Sequence, residues 1–538
     1  MDFLALGANG QPVPDLQPGD VAIKIAGKAR TVAALEFKKA ASAAGSASAL
    51  PPPFAVNTPS AGRSVLIVVD NESLRVGTER AIVESLTTVL DGLSGADRVA
   101  LAVAPRDTVQ IGFGAGLPAV RAAVTKLAGI RPASVSTSDN ACRTRDTMLT
   151  LRALMDNLAG AEAPTSVIFL ASGLVLPNRS TGTTAPTCEV TMEHYQAIGV
   201  SAANARANMY IAQGDEMIAG RDDGLEQLAG ATNAGAVLRA QGNGLARVLT
   251  ESGGYYLATV APDPSDRPGQ VQKLDVKVSR EGVAARARAD VALMGRGGRG
   301  GRSGASTARE MVATTAPFTD LQLRLTATAS RGQGGKMTII AMAEAVDPAV
   351  KFTDVMAVIV PPSGGKAAFA ASADEKQRAG RLVVLPLAAD PGKYRLRVAA
   401  VDANGRSGAV DYEINADFTP AGPLKLGGLL LAGPRGEGFA PQLLFTDESD
   451  LGLSIDLFGD LSTIKVGAKF EIAATPDGPA LAEGQPGGSG TTEPDRFVLS
   501  GKIPIAKLAP GDYVVRVIVQ AEGHPEGRVT RTMRKVAK

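Results

Sequence analysis

The sequence predicts a multidomain chain that joins a doubly wound, Rossmann-like α/β domain to several all-β regions. Strand-like and helix-like segments alternate between residues 62 and 252, which is the pattern of a sheet covered by helices on both faces. From residue 309 onward, short strand-like runs recur at a spacing of about ten residues, which is typical of β-sandwiches. A chain of 538 residues is long enough for several such domains.

The first strand of the α/β domain carries the most informative residue. The consecutive apolar residues 65–69 are followed directly by Asp70. Open α/β sheets bind ligands at the carboxyl ends of their strands, so we expect Asp70 at a binding edge. Further strands are predicted at 98–104, 108–113, 166–170, 208–212 and 236–238, and helices near 78–93, 117–128, 147–158, 193–206, 223–230 and 243–251.

Small β segments flank the α/β domain on both sides. Residues 8–38 contain alternating strand-like pieces, and residues 253–292 contain three more. Either the two segments pair, which makes the α/β domain an insertion in a β subdomain, or they form separate units. The Ala-, Ser- and Pro-rich residues 39–61 predict a linker between the first segment and the α/β domain.

The chain beyond the second segment divides into a connector and two tandem domains. Residues 293–308 are dominated by Gly and Arg, and this composition predicts a flexible linker. Residues 309–419 and 420–538 each predict a β-sandwich. A short sequence pattern is repeated in the two domains, since the Pro-Gly-Lys-Tyr at 391–394 is matched by the Pro-Gly-Asp-Tyr at 510–513.

The overall composition excludes several classes of partner. The 56 basic and 54 acidic residues leave a net charge of +2, which gives no general field for nucleic acid or anionic lipid. The chain has no uninterrupted apolar window of about 18 residues, so no stable membrane span is expected. Its first residues also lack the basic start and apolar run of a signal peptide. These observations predict a soluble protein that binds no nucleic acid.

Ordered pieces of residues 8–292 carry a resemblance to a known family. They are 9–16, Asp20, 27–28, the strand that ends in Asp70, 97–101, 172–174, 203–210, 225–232, 255–257 and 286–288. In this order they resemble the von Willebrand factor A domain, specifically the VWFA-related group of acidobacterial secreted proteins. The resemblance implies protein binding or adhesion in an extracellular or periplasmic location.

The same resemblance implies a metal-ion-dependent adhesion site at the carboxyl edge of the sheet. In the family, the pattern Asp-x-Ser-x-Ser follows the first strand, and a divalent ion takes oxygen ligands from it. Here Asp70 keeps the leading position, but Glu72 and Leu74 replace the two serines. Glu72 is longer than serine, and Leu74 offers no oxygen. The first loop of the site is therefore degenerate.

Two further loops complete the family's site. Thr147, or with less support Thr144, could supply the threonine of the second loop, and Ser172 stands where the family has an Asp after the fourth strand. We therefore expect no cofactor, or a weakly bound Mg²⁺ held by Asp70, Glu72, Thr147 and Ser172. Without a metal, Asp70 would accept hydrogen bonds from its own loop or cap a helix.

The sequence has two cysteines, Cys142 and Cys188, and neither belongs to a Cys-x-x-Cys pair. Two free buried thiols and one disulfide fit this count equally well. A disulfide would fasten the loops around the Asp70 edge and would favour an oxidising compartment.

Nothing in the sequence predicts a catalytic residue. His194 and His524 are the only histidines, and no Gly-x-Ser-x-Gly motif occurs. Ser201 lies near His194 in sequence, but polar residues on a helix surface explain both. We therefore expect a non-enzymatic protein-binding, adhesion or scaffold protein whose ligand the sequence does not identify. The alternatives are an intracellular assembly factor for a multiprotein complex and, more remotely, a hydrolase.

Overall fold

The protein is a multidomain α/β and β protein in the computed structural model. The structure describes residues 1–40, 50–57, 62–105, 109–113, 116–132, 134–159, 163–177, 188–214, 223–267, 269–293, 307–314, 318–361, 367–436, 438–461 and 464–537. Most of the 293–308 linker predicted from the sequence lies outside these residues.

The chain begins with short strands that precede the α/β domain. They are β1 (Asp2–Leu6), β2 (Val21–Ile25), β3 (Lys28–Arg30), β4 (Val32–Lys39) and β5 (Ala55–Val56), with a 3-10 turn at Pro18–Asp20 before β2. Alternate residues of β2 are buried, as expected for a strand with one buried and one solvent-exposed face. Gly27 turns the chain from β2 into β3 with a φ of 77°, a conformation that suits glycine.

The α/β domain has a central sheet covered on both faces. Its strands are β6 (Ser64–Asp70), β7 (Arg98–Ala104), β8 (Val109–Ile111), β9 (Thr165–Ala171), β10 (Ala207–Gln213) and β11 (Leu238–Arg239). Its helices are α1 (Glu79–Asp91), α2 (Gly116–Val124), α3 (Thr137–Leu158), α4 (Met192–Asn204), α5 (Asp223–Thr232) and α6 (Ala246–Glu251).

The order of strands in this sheet places the end of β6 at its centre. The order is β11-β10-β9-β6-β7-β8, and every pairing is parallel except that of β8 with β7. Apolar side chains from both faces of β6 enter two separate buried clusters, one on each side of the sheet. Because β6 and its neighbours β7 and β9 run in parallel, their carboxyl ends share one edge.

The strands after the α/β domain pair with those before it. They are β12 (Gly254–Val260), β13 (Val271–Val278), β14 (Ala284–Arg286) and β15 (Asp290–Ala292). Two sheets result, with the orders β14-β1-β12-β4 and β15-β13-β2-β3. These strands bury a shared apolar cluster that includes Phe3, Ile23 and Tyr256. The α/β domain is thus inserted in a β subdomain built from both flanking segments.

A buried ion cluster joins the β subdomain to the α/β domain. The buried Asp2 of β1 accepts a hydrogen bond from Arg288 at 2.7 Å and one from Arg206 at 2.8 Å. Arg206 precedes β10 of the α/β domain, whereas Arg288 lies between β14 and β15. Although burial alone would raise the pKa of the Asp2 carboxyl, the two guanidiniums hold this pKa below its usual value of 3.8.

This lowered pKa gives a pH prediction. A carboxyl with a lower pKa in the folded state stabilises the fold above its unfolded pKa, and the stabilisation is lost as the pH falls through the folded value. Asp2→Asn should therefore lower the free energy of unfolding at neutral pH, and the gap to the wild type should shrink below about pH 4. Denaturant unfolding of both proteins along a pH series measures this gap. A gap that stays constant into acid would contradict the assignment.

The first β-sandwich follows the Gly/Arg stretch. Its elements are α7 (Ala308–Val312), β16 (Phe318–Thr319), β17 (Leu323–Arg331), β18 (Met337–Ala345), β19 (Phe352–Val360), β20 (Phe369–Ser372), α8 (Glu375–Ala379), β21 (Leu382–Ala389), β22 (Gly392–Asp402) and β23 (Ser407–Ala416). The two facing sheets have the orders β16-β23-β22-β19-β20 and β21-β18-β17-β5.

The second β-sandwich reaches the end of the chain. Its strands are β24 (Thr419–Ala421), β25 (Leu424–Leu426), β26 (Leu430–Arg435), β27 (Gly438–Pro441), β28 (Leu444–Phe445), β29 (Asp450–Phe458), β30 (Val466–Ala473), β31 (Ala480–Gly484), β32 (Gly487–Gly490), β33 (Arg496–Pro504), β34 (Gly511–Ala521) and β35 (Gly527–Lys535). The repeated tyrosines take the same local role in the two sandwiches. Tyr394 and Tyr513 each donate a hydrogen bond to the carbonyl four residues earlier, at 3.0 and 2.8 Å.

Part of the stretch predicted as a linker belongs to the first sandwich. Strand β5 pairs antiparallel with β17, and Phe54 beside it is buried. The buried side chain of Asn57 donates to the carbonyls of Phe318 at 2.7 Å and Leu321 at 2.9 Å. The apolar residues at 55–56 add a short strand to the edge of this sheet. The composition of 39–61 as a whole does not predict that strand, because Ala, Ser and Pro dominate the segment. The described residues contain no helix with the length and apolarity needed to cross a membrane.

Candidate functional site

The centre of the candidate site is Asp70 at the carboxyl end of β6. Its side chain is fully buried, and its Oδ1 accepts the backbone N–H of Ser73 at 3.1 Å. The Ser73 hydroxyl donates to the Asp70 carbonyl at 2.7 Å and accepts the backbone N–H of Ser172 at 2.9 Å. These bonds tie the loop after β6 to the loop after β9. The sheet therefore brings the predicted residues Asp70 and Ser172 to one edge.

Helix α3 brings the predicted threonines to the same edge. Thr147 Oγ1 donates to Asp70 Oδ2 at 3.3 Å, while Thr144 Oγ1 accepts the backbone N–H of Val175 at 3.2 Å. The sequence predicted that this helix begins near Thr147, but it begins at Thr137. The Ser136 hydroxyl caps it by accepting the N–H of Asp139 at 3.0 Å. Both threonines consequently lie on a helix and not on a loop.

The charged partner of Asp70 is Arg143, which the sequence reasoning did not single out. The guanidinium of Arg143 forms an ion pair with Asp70 Oδ2. Nη2 of the same guanidinium donates to the Gly173 carbonyl at 2.9 Å and to Asn140 Oδ1 at 2.9 Å. Arg143 lies four residues before Thr147, so the two share one face of α3. That spacing would have pointed to Arg143 had the start of α3 been recognised.

Burial and charge act in opposite directions on the Asp70 carboxyl. Removal from water raises its pKa above the usual value, while the positive charge of Arg143 and the bonds from Ser73 and Thr147 lower it. A buried carboxylate without such partners would be costly. Burial has the larger effect, so the pKa of Asp70 stays above its usual value, and Arg143, Ser73 and Thr147 offset part of the cost of burying this carboxyl.

The residues at this edge do not fit a resident Mg²⁺. Mg²⁺ needs near-octahedral oxygen ligands, yet Asp70 Oδ2 already binds a guanidinium, and the buried Leu74 offers no oxygen. The Arg143 guanidinium, which is in direct contact with Asp70, would also repel a divalent ion bound to the same carboxylate. Within the described part of the chain, no group of three or more His, Cys, Asp or Glu side chains is placed to hold a metal. Glu72, the second carboxylate of the predicted set, is only half-buried.

Cys142 and Cys188 form a disulfide beside this site. Their Cα atoms are 4.8 Å apart. Cys142 directly precedes Arg143 on α3, and Cys188 lies just before α4. The bond therefore fixes the part of α3 that carries Arg143 against the chain that follows β9.

Exposed apolar side chains occur on what we call the rim, meaning the described parts of 71–78, 125–136 and 172–192 at the carboxyl edge of the sheet. The exposed fractions are 74% for Val76, 52% for Ile130, 45% for Leu176 and 42% for Met192. The N–H of Ile130 donates to the Asn71 carbonyl at 3.1 Å, which joins two of these segments. Isolated exposed apolar residues are ordinary, but four on one edge mark a candidate contact surface.

A cavity of about 370 Å³ opens in the rim between α2 and the strands β7 and β8. Its lining includes the polar Asn71 and Lys126 and is otherwise apolar: Val103, Ile111, Ala119, Ala122, Ala123, Leu127, Ala128 and Ile130. A predominantly apolar hollow with few polar groups can accept an apolar side chain.

His194 has a structural role at the start of α4. Its Nδ1 accepts the backbone N–H of Thr191 at 3.1 Å and lies 2.8 Å from the Thr191 hydroxyl. This pair caps the helix in the manner of a capping box. Ser201 is buried seven residues further along the same helix.

Comparisons with known proteins give little guidance. No protein-family model matches the chain, and no curated protein matches it. One similar solved structure is described as a conserved domain protein from Bacillus anthracis, at 10% identity over 39% of this chain and 86% of that one, with a TM-score of 0.14. Another is the C-terminal domain of the AgI/II polypeptide BspA from Streptococcus agalactiae, at 10% identity over 39% and 99%, with a TM-score of 0.11. TM-scores this low carry no argument about fold or function.

Proposed function

We propose that this chain is a non-enzymatic binding or scaffold protein and that the rim of its α/β domain contacts another protein. We further propose that the α/β domain is a von Willebrand factor A-like domain. The strand order β11-β10-β9-β6-β7-β8, with β8 as an antiparallel edge and Asp70 at the end of the central β6, supports this assignment.

The observation that carries the binding proposal is the exposure of Val76, Ile130, Leu176 and Met192 on one edge of the sheet. Val76 and Leu176 lie on the loops after β6 and β9, which the hydrogen bonds around Asp70 connect. The N–H of Ile130 donates to the first of these loops, and Met192 begins α4 just after the disulfide-bonded Cys188. Binding by loops that are already ordered costs little conformational entropy. The rim therefore offers an apolar and preorganised surface.

The disulfide favours an extracellular or periplasmic location over the alternative of an intracellular assembly factor. Stable disulfides persist in oxidising compartments and are rare in reducing ones. Cys142 and Cys188 are bonded within the α/β domain that carries the rim. We therefore propose that the rim meets its partner outside the cytoplasm.

Site-specific photo-cross-linking tests the proposed contact. A photoreactive amino acid placed at Val76 or at Ile130 should give a discrete cross-linked product with another protein in the native compartment. The matched control is Leu481 on β31, whose exposed fraction of 52% equals that of Ile130. Discrete products at the two rim positions and none at Leu481 are expected. Equal yields at all three positions, or no product from the rim, would contradict the proposal.

A further inference from the structure

We propose that Arg143 is the built-in cation of the rim, so that the native site needs no metal, and that removing its charge opens a site for Ca²⁺. This inference concerns the geometry around Asp70 and stands whether or not the rim binds a protein.

The first argument is the set of atoms that surrounds the guanidinium. Arg143 is bonded to a carboxylate oxygen of Asp70, an amide oxygen of Asn140 and the backbone carbonyl of Gly173. The hydroxyl of Thr144 lies 3.5 Å from the same guanidinium. Carboxylate, amide, carbonyl and hydroxyl oxygens are the ligands that hard cations take in proteins. The guanidinium thus occupies an oxygen-lined position suited to a positive charge.

The second argument is that Arg143 links three elements that a shared cation would link. Asp70 ends β6, Gly173 follows β9, and Arg143 itself belongs to α3. The planar guanidinium donates in several directions from a fixed fork, so one side chain can hold all three. Arg143 therefore contributes to the order of the rim through a covalently attached charge, which a chelator cannot remove.

The third argument concerns what remains if the guanidinium is removed. Asp70 would keep its bonds from Ser73 and Thr147 but would lose its charged partner. The Gly173 carbonyl and Asn140 Oδ1 would lose the guanidinium N–H groups that now donate to them. A cation that displaces the proton from the buried Asp70 carboxyl would then satisfy this carboxyl together with the two freed oxygens. Because Ca²⁺ tolerates irregular geometry and carbonyl ligands better than Mg²⁺ does, Ca²⁺ is the ion that this space would accept.

Thermal unfolding of the full chain tests the inference in chelator and in millimolar Ca²⁺. The wild type should unfold at the same temperature in both. Arg143→Ala should unfold roughly 10 °C lower in chelator, because a buried carboxylate loses its partner. Millimolar Ca²⁺ should raise the unfolding temperature of this variant by several degrees, because an ion that binds only the folded state stabilises it.

Two variants serve as controls. Arg145→Ala removes a partly exposed neighbour on α3 that pairs with Asp146 at 3.3 Å, and it should neither destabilise the protein strongly nor create a response to Ca²⁺. Adding Asp70→Asn to Arg143→Ala should abolish the Ca²⁺ response, because the carboxylate that pairs with the guanidinium is then gone.

Several outcomes would overturn the inference. They are a wild type that Ca²⁺ stabilises, an Arg143→Ala protein as stable as the wild type in chelator, and a Ca²⁺ response that survives Asp70→Asn. If Arg143→Ala does not fold in chelator, Arg143→Lys replaces it in the test. Lysine keeps the charge but lacks the fork, so this variant should be less stable than the wild type and unresponsive to Ca²⁺. Wild-type stability for Arg143→Lys would contradict the bridging role.

Discussion

Replacing Cys142 and Cys188 together by serine is expected to lower the free energy of unfolding of the α/β domain by about 4 kcal/mol. The two residues are 46 positions apart, and a cross-link over a loop of that length stabilises mainly by restricting the unfolded chain. Equilibrium unfolding of the oxidised wild type and of the double variant measures the difference.

Reduction provides the control for this prediction. A thiol reductant should lower the stability of the wild type towards that of the double variant, and it should leave the double variant unchanged. Because Cys142 precedes Arg143, loss of the bond should also reduce cross-linking from Val76 on the rim. Equal stability of the oxidised wild type and the double variant would show that the disulfide does not stabilise this part of the fold.

The second large effect is expected from Arg286→Met at the junction of the β subdomain and the α/β domain. The fully buried Glu251 accepts hydrogen bonds from Arg286 of β14 and from Arg247 of α6. Arg286 also lies over the Tyr210 ring, 4.1 Å from its centroid. Removing one partner of a buried ion pair typically costs about 3–5 kcal/mol, so the free energy of unfolding should fall by that amount.

An exposed ion pair in the same subdomain gives the matched control. Arg280 pairs near the surface with Asp15 at 2.6 Å and with Asp20 at 3.1 Å, and Arg280→Met should change the free energy of unfolding by about 1 kcal/mol or less. Adding Glu251→Gln to Arg286→Met should restore part of the loss, since the buried charge is then removed. If Arg286→Met and Arg280→Met cost the same, the buried junction does not couple the two units.

The central strand and its aspartate are the part of the site that the sequence predicts well. Five apolar residues leave little alternative to a buried strand, and the pairing of β6 with β7 and β9 places Asp70 at the shared edge. The start of α3 was missed because its first turns are polar and show no apolar periodicity. Its signal is the cap formed by Ser136 and Asp139. Missing that cap also hid Arg143.

Long-range pairing is the part that local patterns leave open. The sequence identified strand-like segments on both sides of the α/β domain but gave no register between them. The register follows from contacts between distant residues, such as Phe3 of β1 stacked on Tyr256 of β12. The same holds for β5, whose two residues find their partner strand only in the folded sandwich. Such pairings depend on which surfaces meet, and neighbours in sequence do not encode them.

The most direct test of the account is the cross-linking yield from Val76, measured in Mg²⁺ and in chelator. An apolar rim held by Arg143 predicts a discrete product with another protein, in equal yield under both conditions. No product, or a product that disappears in chelator, would contradict the account.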